Sequence, residues 1–163
     1  MTAMHCPNAL RYNNATGIIQ YRNAASTTST GNHIDLQWHS VLSGSSVSST
    51  FQNSSSTEVT ATGAQNAVVN GSVCHYGLGS AVRRCGTIYS LGVCYTDDLT
   101  FCGLAQTSTY ISTGGDSGGP WFTNSTVLTG VHSGVTVVSG VARSVYTPQT
   151  RIAENLGGTV LTD

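Results

Sequence analysis

Apolar and polar residues alternate along this chain in short runs, and residues that favour turns separate the runs. The clearest runs cover residues 17–21, 34–38, 57–62, 87–93, 127–132 and 135–138. Alternation with a period of two is typical of strands that bury one face. The pattern therefore predicts many short β-strands joined by tight turns.

One segment near the C-terminus has the spacing of a helix instead. Pro148 is expected to open this helix, Ile152 and Leu156 lie four residues apart on one face, and Gly157 with Gly158 ends it. Many strands followed by one terminal helix predict an all-β protein with a β-barrel fold. The Ser-rich stretch 42–57 is expected to be a polar loop, or edge strands, between two halves.

The charge pattern excludes several classes of function. Only 8% of the 163 residues are charged, and the net charge is −1. We therefore expect neither nucleic acid nor a membrane as a partner, and no apolar run approaches the roughly 18 residues of a membrane span. The chain contains no lysine, which excludes a P-loop lysine, a Schiff base and a Ser–Lys dyad. We expect no cofactor.

The five cysteines predict an oxidising compartment. Cys74 with Cys85, and Cys94 with Cys102, have separations that suit hairpin disulfides. A zinc site is the alternative, but no C-x-x-C pair occurs, so we expect no metal. Cys6 has no partner. The start of the chain lacks the apolar run of a signal peptide, and we expect a secreted protein whose first part precedes this sequence.

The strongest chemical signal is the run from Gly114 to Trp121, which reads GGDSGGPW. Acyl transfer needs a hydroxyl on a tight turn with backbone N–H groups directed at the developing oxyanion. We predict Ser117 as the nucleophile, with the N–H groups of Gly115 and Ser117 as the oxyanion hole. The alternative is a glycine-rich turn with an incidental serine.

A serine hydroxyl needs a base, and the base needs a carboxylate that fixes its tautomer. Among five histidines we select His5 because it lies in Thr-Ala-x-His-Cys. Asp35 lies between apolar residues, where a carboxylate is costly unless it is paired; Asp97 and Asp98 are expected at a hairpin tip. The alternatives are a structural histidine and a turn aspartate that follows Gly31 and Asn32.

The order His5, Asp35, Ser117 with these flanking residues resembles the chymotrypsin-like serine peptidases, and most closely their bacterial streptogrisin and α-lytic branch. Residues 73–74 and 85–87 resemble the short disulfide loop of that branch. The resemblance implies two six-stranded antiparallel β-barrels with the site between them. Residues 1–56 would form the N-terminal barrel and 57–163 the C-terminal barrel. Because Cys6 lacks the family's upstream partner, we expect the N-terminal barrel to be incomplete.

The chain departs from that branch at several positions. Ile111 stands where a pocket cysteine occurs in relatives, and Cys94 with Cys102 is an additional bridge. An arginine that pairs with the aspartate before the serine is replaced by His75. What holds Asp116 is therefore an open question.

The resemblance also implies a specificity pocket between two segments. Ile111, Ser112 and Thr113 would form one wall, and the strand Ser133, Gly134 and Val135 the other. No acid lies at the expected base, and His132 precedes Ser133, as in glutamyl endopeptidases. His132, with some positive charge near neutral pH, and Ser112 would then receive an acidic side chain. The alternative is that His132 only packs in the barrel and that the pocket takes apolar side chains.

The sequence thus predicts a monomeric, secreted serine endopeptidase that acts on polypeptides through an acyl-enzyme. A peptidase-like β-domain that binds without catalysis is the second hypothesis. A Ser/Thr-rich adhesion or carbohydrate-binding sandwich is the third.

Overall fold

The computed structural model describes residues 1–6, 10–11, 18–19, 21–22, 33–39 and 46–163. The predicted strand 17–21 and the polar stretch 42–57 lie partly outside these residues, and the turn at Gly31 and Asn32 lies wholly outside them. The described strands are β1 (Leu10–Arg11), β2 (Ile18–Ile19), β3 (Tyr21–Arg22), β4 (Trp38–His39), β5 (Thr50–Gln52), β6 (Glu58–Thr60), β7 (Gly63–Ala64), β8 (Ser72–His75), β9 (Arg84–Thr96), β10 (Thr100–Thr107), β11 (Pro120–Thr123), β12 (Val127–Val138) and β13 (Val141–Pro148). One helix, α1, spans Thr150–Leu156.

The C-terminal strands form a closed barrel. Along the sheet the order is β11, β8, β9, β10, β13, β12, and β11 pairs again with β12, which closes a ring of six antiparallel strands. The two-residue strand β7 adds to β12 in parallel. Closure removes free sheet edges, and this barrel confirms the predicted all-β fold.

Three antiparallel pairs lie in the first part of the chain: β1 with β2, β3 with β4, and β5 with β6. A further bridge joins Thr2 to Gln37 and brings the first residues beside the segment that follows His33. The expected boundary at 56/57 falls in the turn between β5 and β6. The two strands of that hairpin pair from Thr50 with Thr60 to Gln52 with Glu58.

Aromatic side chains fill the centre of the barrel. The ring of Trp121 stacks on that of Tyr146 at a centroid distance of 4.5 Å, and both are fully buried. Ile111 packs in the same cluster with Val73 and Ile88. Trp121 belongs to β11 and Tyr146 belongs to β13. The turn that follows Gly114 leads directly into β11, so this close packing holds the end of the turn in place.

The helix is present, but it begins later than predicted. Pro148 is the last residue of β13, because its register position opposite Gly130 continues the sheet, and helical turns start only at Thr150. Gly157 ends the helix in the left-handed conformation with φ of 63°. Ile152 packs on Ile34 and Leu36, so the helix joins the C-terminal barrel to the segment that carries Asp35.

None of the helices in the described ranges is long and apolar enough to cross a membrane.

Candidate active site

Three side chains from distant parts of the sequence meet in one hydrogen-bonded line. The His5 Nε2 atom lies 2.8 Å from the Ser117 Oγ atom. On the other side of the ring, Nδ1 lies 2.9 Å from Oδ2 and 3.1 Å from Oδ1 of Asp35. A carboxylate at Nδ1 holds the proton on that nitrogen. The lone pair of Nε2 therefore faces the serine hydroxyl.

Backbone contacts position the histidine and the aspartate. The Gln37 side-chain amide donates to the carbonyls of Ala3 at 2.8 Å and Cys6 at 3.0 Å, which fixes the turn that carries His5. The backbone N–H of His5 also donates to Asp35 Oδ1 at 3.1 Å. The Thr147 hydroxyl donates to the Asp35 carbonyl at 3.1 Å and ties this segment to the C-terminal barrel.

The protonation of His5 follows from these contacts. Its hydrogen bond to Asp35 raises the pKa of the imidazole, burial opposes this, and the charges of Asp35 and Asp97 raise the pKa further. The Asp35 side chain is 0% exposed, whereas that of His5 is 23% exposed. The imidazole can therefore exchange a proton with a bound molecule while its carboxylate stays shielded from water.

The turn that carries Ser117 depends on two glycines with positive φ. Gly115 has φ of 90° and Gly118 has φ of 81°, conformations that other residues adopt only with strain. A Cβ atom at Gly118 would also collide with the Thr2 hydroxyl. Among the hydrogen bonds of the described residues, none uses the N–H of Gly115 or Ser117 as a donor. The two N–H groups that the sequence predicts as oxyanion donors thus have no acceptor among the described residues.

Asp116 is held by backbone donors and faces a buried histidine. Ser80 N–H donates to its Oδ1 at 2.7 Å, and Thr113 N–H donates to its Oδ2 at 2.9 Å. Although burial opposes it, these bonds lower the pKa of the Asp116 carboxyl. His75 Nε2 lies 3.3 Å from Asp116 Oδ2, outside hydrogen-bond geometry, and Nδ1 donates to the carbonyl of Pro120 at 3.0 Å. Burial lowers the pKa of His75.

A cleft of about 220 Å³ opens beside His5 and Ser117. Six of the residues assigned to the pocket from the sequence line it: Ser112, Thr113, His132, Ser133, Gly134 and Val135. Ile111, the seventh, does not, because its side chain packs in the barrel core. The hydroxyl of Ser144 lies 2.7 Å from that of Ser112 and accepts the N–H groups of Ile111 and Ser112, which fixes this wall.

His132 is neutral, in contrast to the partial positive charge expected from the sequence. Burial is the main cause, and the neighbouring His75 adds to it; together they lower the pKa of His132 to about 3. The indole N–H of Trp121 donates to His132 Nδ1 at 3.3 Å. Because an indole nitrogen can only donate, the ring proton of His132 must lie on Nε2.

Three further residues line the cleft that the sequence did not single out as site residues: Tyr95, Asp97 and Tyr110. The first two belong to the β9–β10 hairpin, whose tip was correctly predicted to contain Asp97. The pair Cys94 and Cys102 was the available signal, because a disulfide so close to a turn holds that turn in one place. Position in the cleft could not be inferred from spacing.

Both expected disulfides are present, between Cys74 and Cys85 and between Cys94 and Cys102, and Cys6 has a free thiol. A larger surface groove of about 430 Å³ lies beside α1. Its only charged lining residues, Arg151 and Glu154, pair with each other at 2.9 Å. The groove contains no nucleophile with an adjacent base, so the smaller cleft is the candidate site.

Solved structures of bacterial proteases share this fold. Thermobifida fusca Protease A is 30% identical, with a TM-score of 0.74 over 99% of this chain and 83% of its own. Cellulomonas bogoriensis chymotrypsin is 27% identical, with a TM-score of 0.73 over 99% of this chain and 85% of its own. A glutamic acid-specific serine protease, described as using a histidine triad in substrate binding, is 25% identical. Its TM-score is 0.75 over 98% of this chain and 84% of its own.

No protein-family model and no curated protein matches the chain. The structural likeness to Protease A nevertheless covers 99% of this chain, and the two sequences are 30% identical over that alignment. By its barrel, its glycine-bounded serine turn and these relatives, the chain belongs to the chymotrypsin-like serine proteases.

Proposed function

We propose that the protein is a serine endopeptidase in which Ser117, His5 and Asp35 act as a catalytic triad. The observation that carries the proposal is the line of contacts from Asp35 through His5 to Ser117, with distances of 2.9 and 2.8 Å. Ser117 Oγ attacks the peptide carbonyl carbon while its proton passes to His5 Nε2. Asp35 stabilises the imidazolium that forms.

The remaining steps follow from the same atoms. The negative oxygen of the tetrahedral intermediate accepts the N–H groups of Gly115 and Ser117. His5 Nε2–H then protonates the leaving amine, the C–N bond breaks, and an ester with Ser117 remains. Water gives a proton to His5 as it attacks this ester, and the proton returns to Ser117 as the acid leaves.

Covalent labelling tests the nucleophile. A fluorophosphonate should add to Ser117 and to no other of the chain's many serines, because among the serines that the structure describes only this hydroxyl has a histidine base at 2.8 Å. Intact-mass and peptide mass spectrometry would locate the adduct. Ser117→Ala is the matched control and should remain unlabelled. An unlabelled wild-type chain would instead support a peptidase-like domain that binds without catalysis.

We further propose a preference for Glu at P1, the residue whose carbonyl is attacked. His132 lines the cleft, and Trp121 leaves its proton on Nε2, so a neutral ring N–H can donate to a carboxylate. A buried carboxylate needs such donors in place of water. A carboxylate that binds there would also raise the low pKa of His132.

The rival is a pocket for apolar P1 side chains. Similarity alone does not favour either specificity, because a glutamic acid-specific protease and a chymotrypsin have nearly equal TM-scores to this chain, 0.75 and 0.73. The Glu proposal rests instead on the fixed tautomer of His132, since an apolar pocket has no use for an oriented N–H donor.

A peptide series that differs only at P1 distinguishes the two. His132→Phe should lower kcat/KM for Glu at P1 by roughly 10²- to 10³-fold, because it leaves a buried substrate charge without its hydrogen-bond partner, and it should change cleavage after Leu little. Thermal unfolding of the variant would verify its fold. If the wild-type protein cleaves mainly after Leu, Phe or Tyr, the Glu preference is wrong.

The two disulfides favour action outside the cytosol, because the cytosol keeps thiols reduced. We therefore propose that the protein acts on polypeptides in an extracellular setting.

A further inference from the structure

The tip of the β9–β10 hairpin is held rigidly beside the catalytic histidine. The Cys94–Cys102 disulfide clamps the hairpin eight residues apart, and Asp97 N–H donates to the Leu99 carbonyl at 3.0 Å within the turn. His33 bonds through its backbone to Thr100 at 2.9 Å and Cys102 at 3.0 Å. The tip is thus held by bonds within the hairpin and by backbone hydrogen bonds to the segment that carries Asp35.

The same tip forms one side of the cleft. Tyr95 and Asp97 line the cleft together with His5, and Tyr95 packs over β12, where a Cβ atom at Gly134 would lie 2.9 Å from its ring. Asp98, the next residue, is exposed and does not line the cleft. One of two adjacent carboxylates therefore faces the substrate path, and the other faces solvent.

Asp97 gives this side of the cleft an uncompensated negative charge. No arginine lines the described cleft, and the chain has no lysine. His132 is neutral, since its pKa is lowered to about 3. The charge of Asp97 acts on its neighbours, because it contributes to the raised pKa of both His5 and Tyr95. In the reactive form, in which His5 is neutral, a cationic substrate group would find no competing cation on the lining residues.

The direction of the substrate chain decides which side chain meets Asp97. Residues 133–134 belong to β12, so a substrate strand with its P1 side chain between residues 112–113 and 133–134 would pass beside β12. Successive side chains of a strand point to opposite faces, so the P2 side chain, one residue before P1, would point away from that pocket. His5, Tyr95 and Asp97 line the same cleft, and they are the side chains that we expect P2 to meet.

We propose that Asp97 is a specificity-determining residue that selects Lys or Arg at the P2 position of the substrate. The proposal rests on the endopeptidase function and adds a second recognition site to it. The disulfide and the bonds to His33 hold the carboxylate in place before the substrate binds, which reduces the ordering that the ion pair requires.

Two variants with the same change of charge test the proposal. Peptides that are identical except for Arg or Gln at P2 are cleaved by the wild-type protein, by Asp97→Asn and by Asp98→Asn, and the ratio of the two kcat/KM values is measured. Because Asp97 is exposed, the wild-type preference for Arg should be modest, roughly two- to five-fold. It should disappear in Asp97→Asn, persist in Asp98→Asn, and shrink as salt is raised.

A third variant reverses the charge at the same position. Asp97→Arg should reverse the order, so that Glu at P2 is cleaved faster than Gln. An Arg-to-Gln ratio that is unchanged in Asp97→Asn, or that falls equally in Asp98→Asn, overturns the role of Asp97 while cleavage itself still supports the endopeptidase. If no peptide is cleaved and Ser117 is not labelled, the endopeptidase function is wrong, and this proposal is overturned with it.

Discussion

Two histidine–aspartate pairs lie near Ser117, and they differ in their hydrogen bonds, their burial and their pKa shifts. In the first, His5 Nδ1 meets Asp35 at 2.9 Å, and Nε2 remains directed at the serine. In the second, His75 Nδ1 donates to the Pro120 carbonyl, and Nε2 faces Asp116 without a hydrogen bond. The pKa of His5 is raised by its aspartate, whereas the pKa of His75 is lowered by burial.

The difference shows that the partner of Nδ1, together with access to solvent, determines what such a pair can do. A carboxylate at Nδ1 and an open Nε2 make a base that can accept a proton. A carbonyl at Nδ1 and complete burial make a neutral ring that fills space against Trp121, with centroids 4.8 Å apart. Asp116 then serves the backbone donors of Ser80 and Thr113 rather than its histidine.

Asp35→Asn breaks the first pair and should have the largest effect. An amide would hold His5 in the wrong tautomer, so kcat should fall by about 10⁴-fold. The shape of the residue is preserved, so thermal unfolding should show a folded protein. Steady-state kinetics on a P1 peptide series would measure the loss. Nearly full activity would contradict the role of this carboxylate.

Asp116→Asn breaks the second pair and should act mainly on stability. Replacing a carboxylate oxygen by an NH₂ group leaves the N–H of Ser80 or Thr113 without an acceptor, which costs about 1–3 kcal/mol of unfolding free energy. Urea titration would measure this loss, and kcat/KM should fall by no more than about 10²-fold through displacement of the serine turn. Asp98→Asn is the control. A stability equal to wild type would show that the carboxylate does not hold the turn.

The pH dependence of activity should show the smallest of these effects, and it distinguishes His5 from His75. Activity requires neutral His5, and its pKa is raised, so the acid limb of kcat/KM should have its midpoint above the reference value of about 6.5. His75, with a lowered pKa, stays neutral over that limb. Asp97→Asn should move the midpoint slightly to lower pH, since one source of the shift is removed. NMR titration of the histidines would identify the group, and a midpoint below 6.5 would contradict the assignment.

Local patterns were sufficient for much of the fold. Period-two alternation located parts of β9 and β12, and the closed six-stranded ring agrees with the barrel that the resemblance implied. The helix start was wrong because proline is tolerated both at a first helical turn and at the end of a strand, as at Pro148. Ile111 lies in the core cluster while Ser112 lines the cleft, because neighbours in sequence can face opposite sides of one wall.

The sequence by itself determined the features that a few adjacent residues produce. These include the glycine-bounded turn around Ser117, the spacing of the two disulfides, the left-handed end of α1 at Gly157, and the absence of any lysine. Each depends on backbone freedom or on short covalent distances, so no distant part of the chain is needed to specify it.

Only the tertiary structure decided which groups meet across long separations. His5 and Ser117 are 112 residues apart, yet their side chains lie within 2.8 Å of each other. Closure of the barrel buried His132 and made it neutral, and the clamped hairpin placed Asp97, but not Asp98, in the cleft. Burial and electrostatic surroundings are set by whichever segments pack together, and the order of residues along one strand does not contain that information.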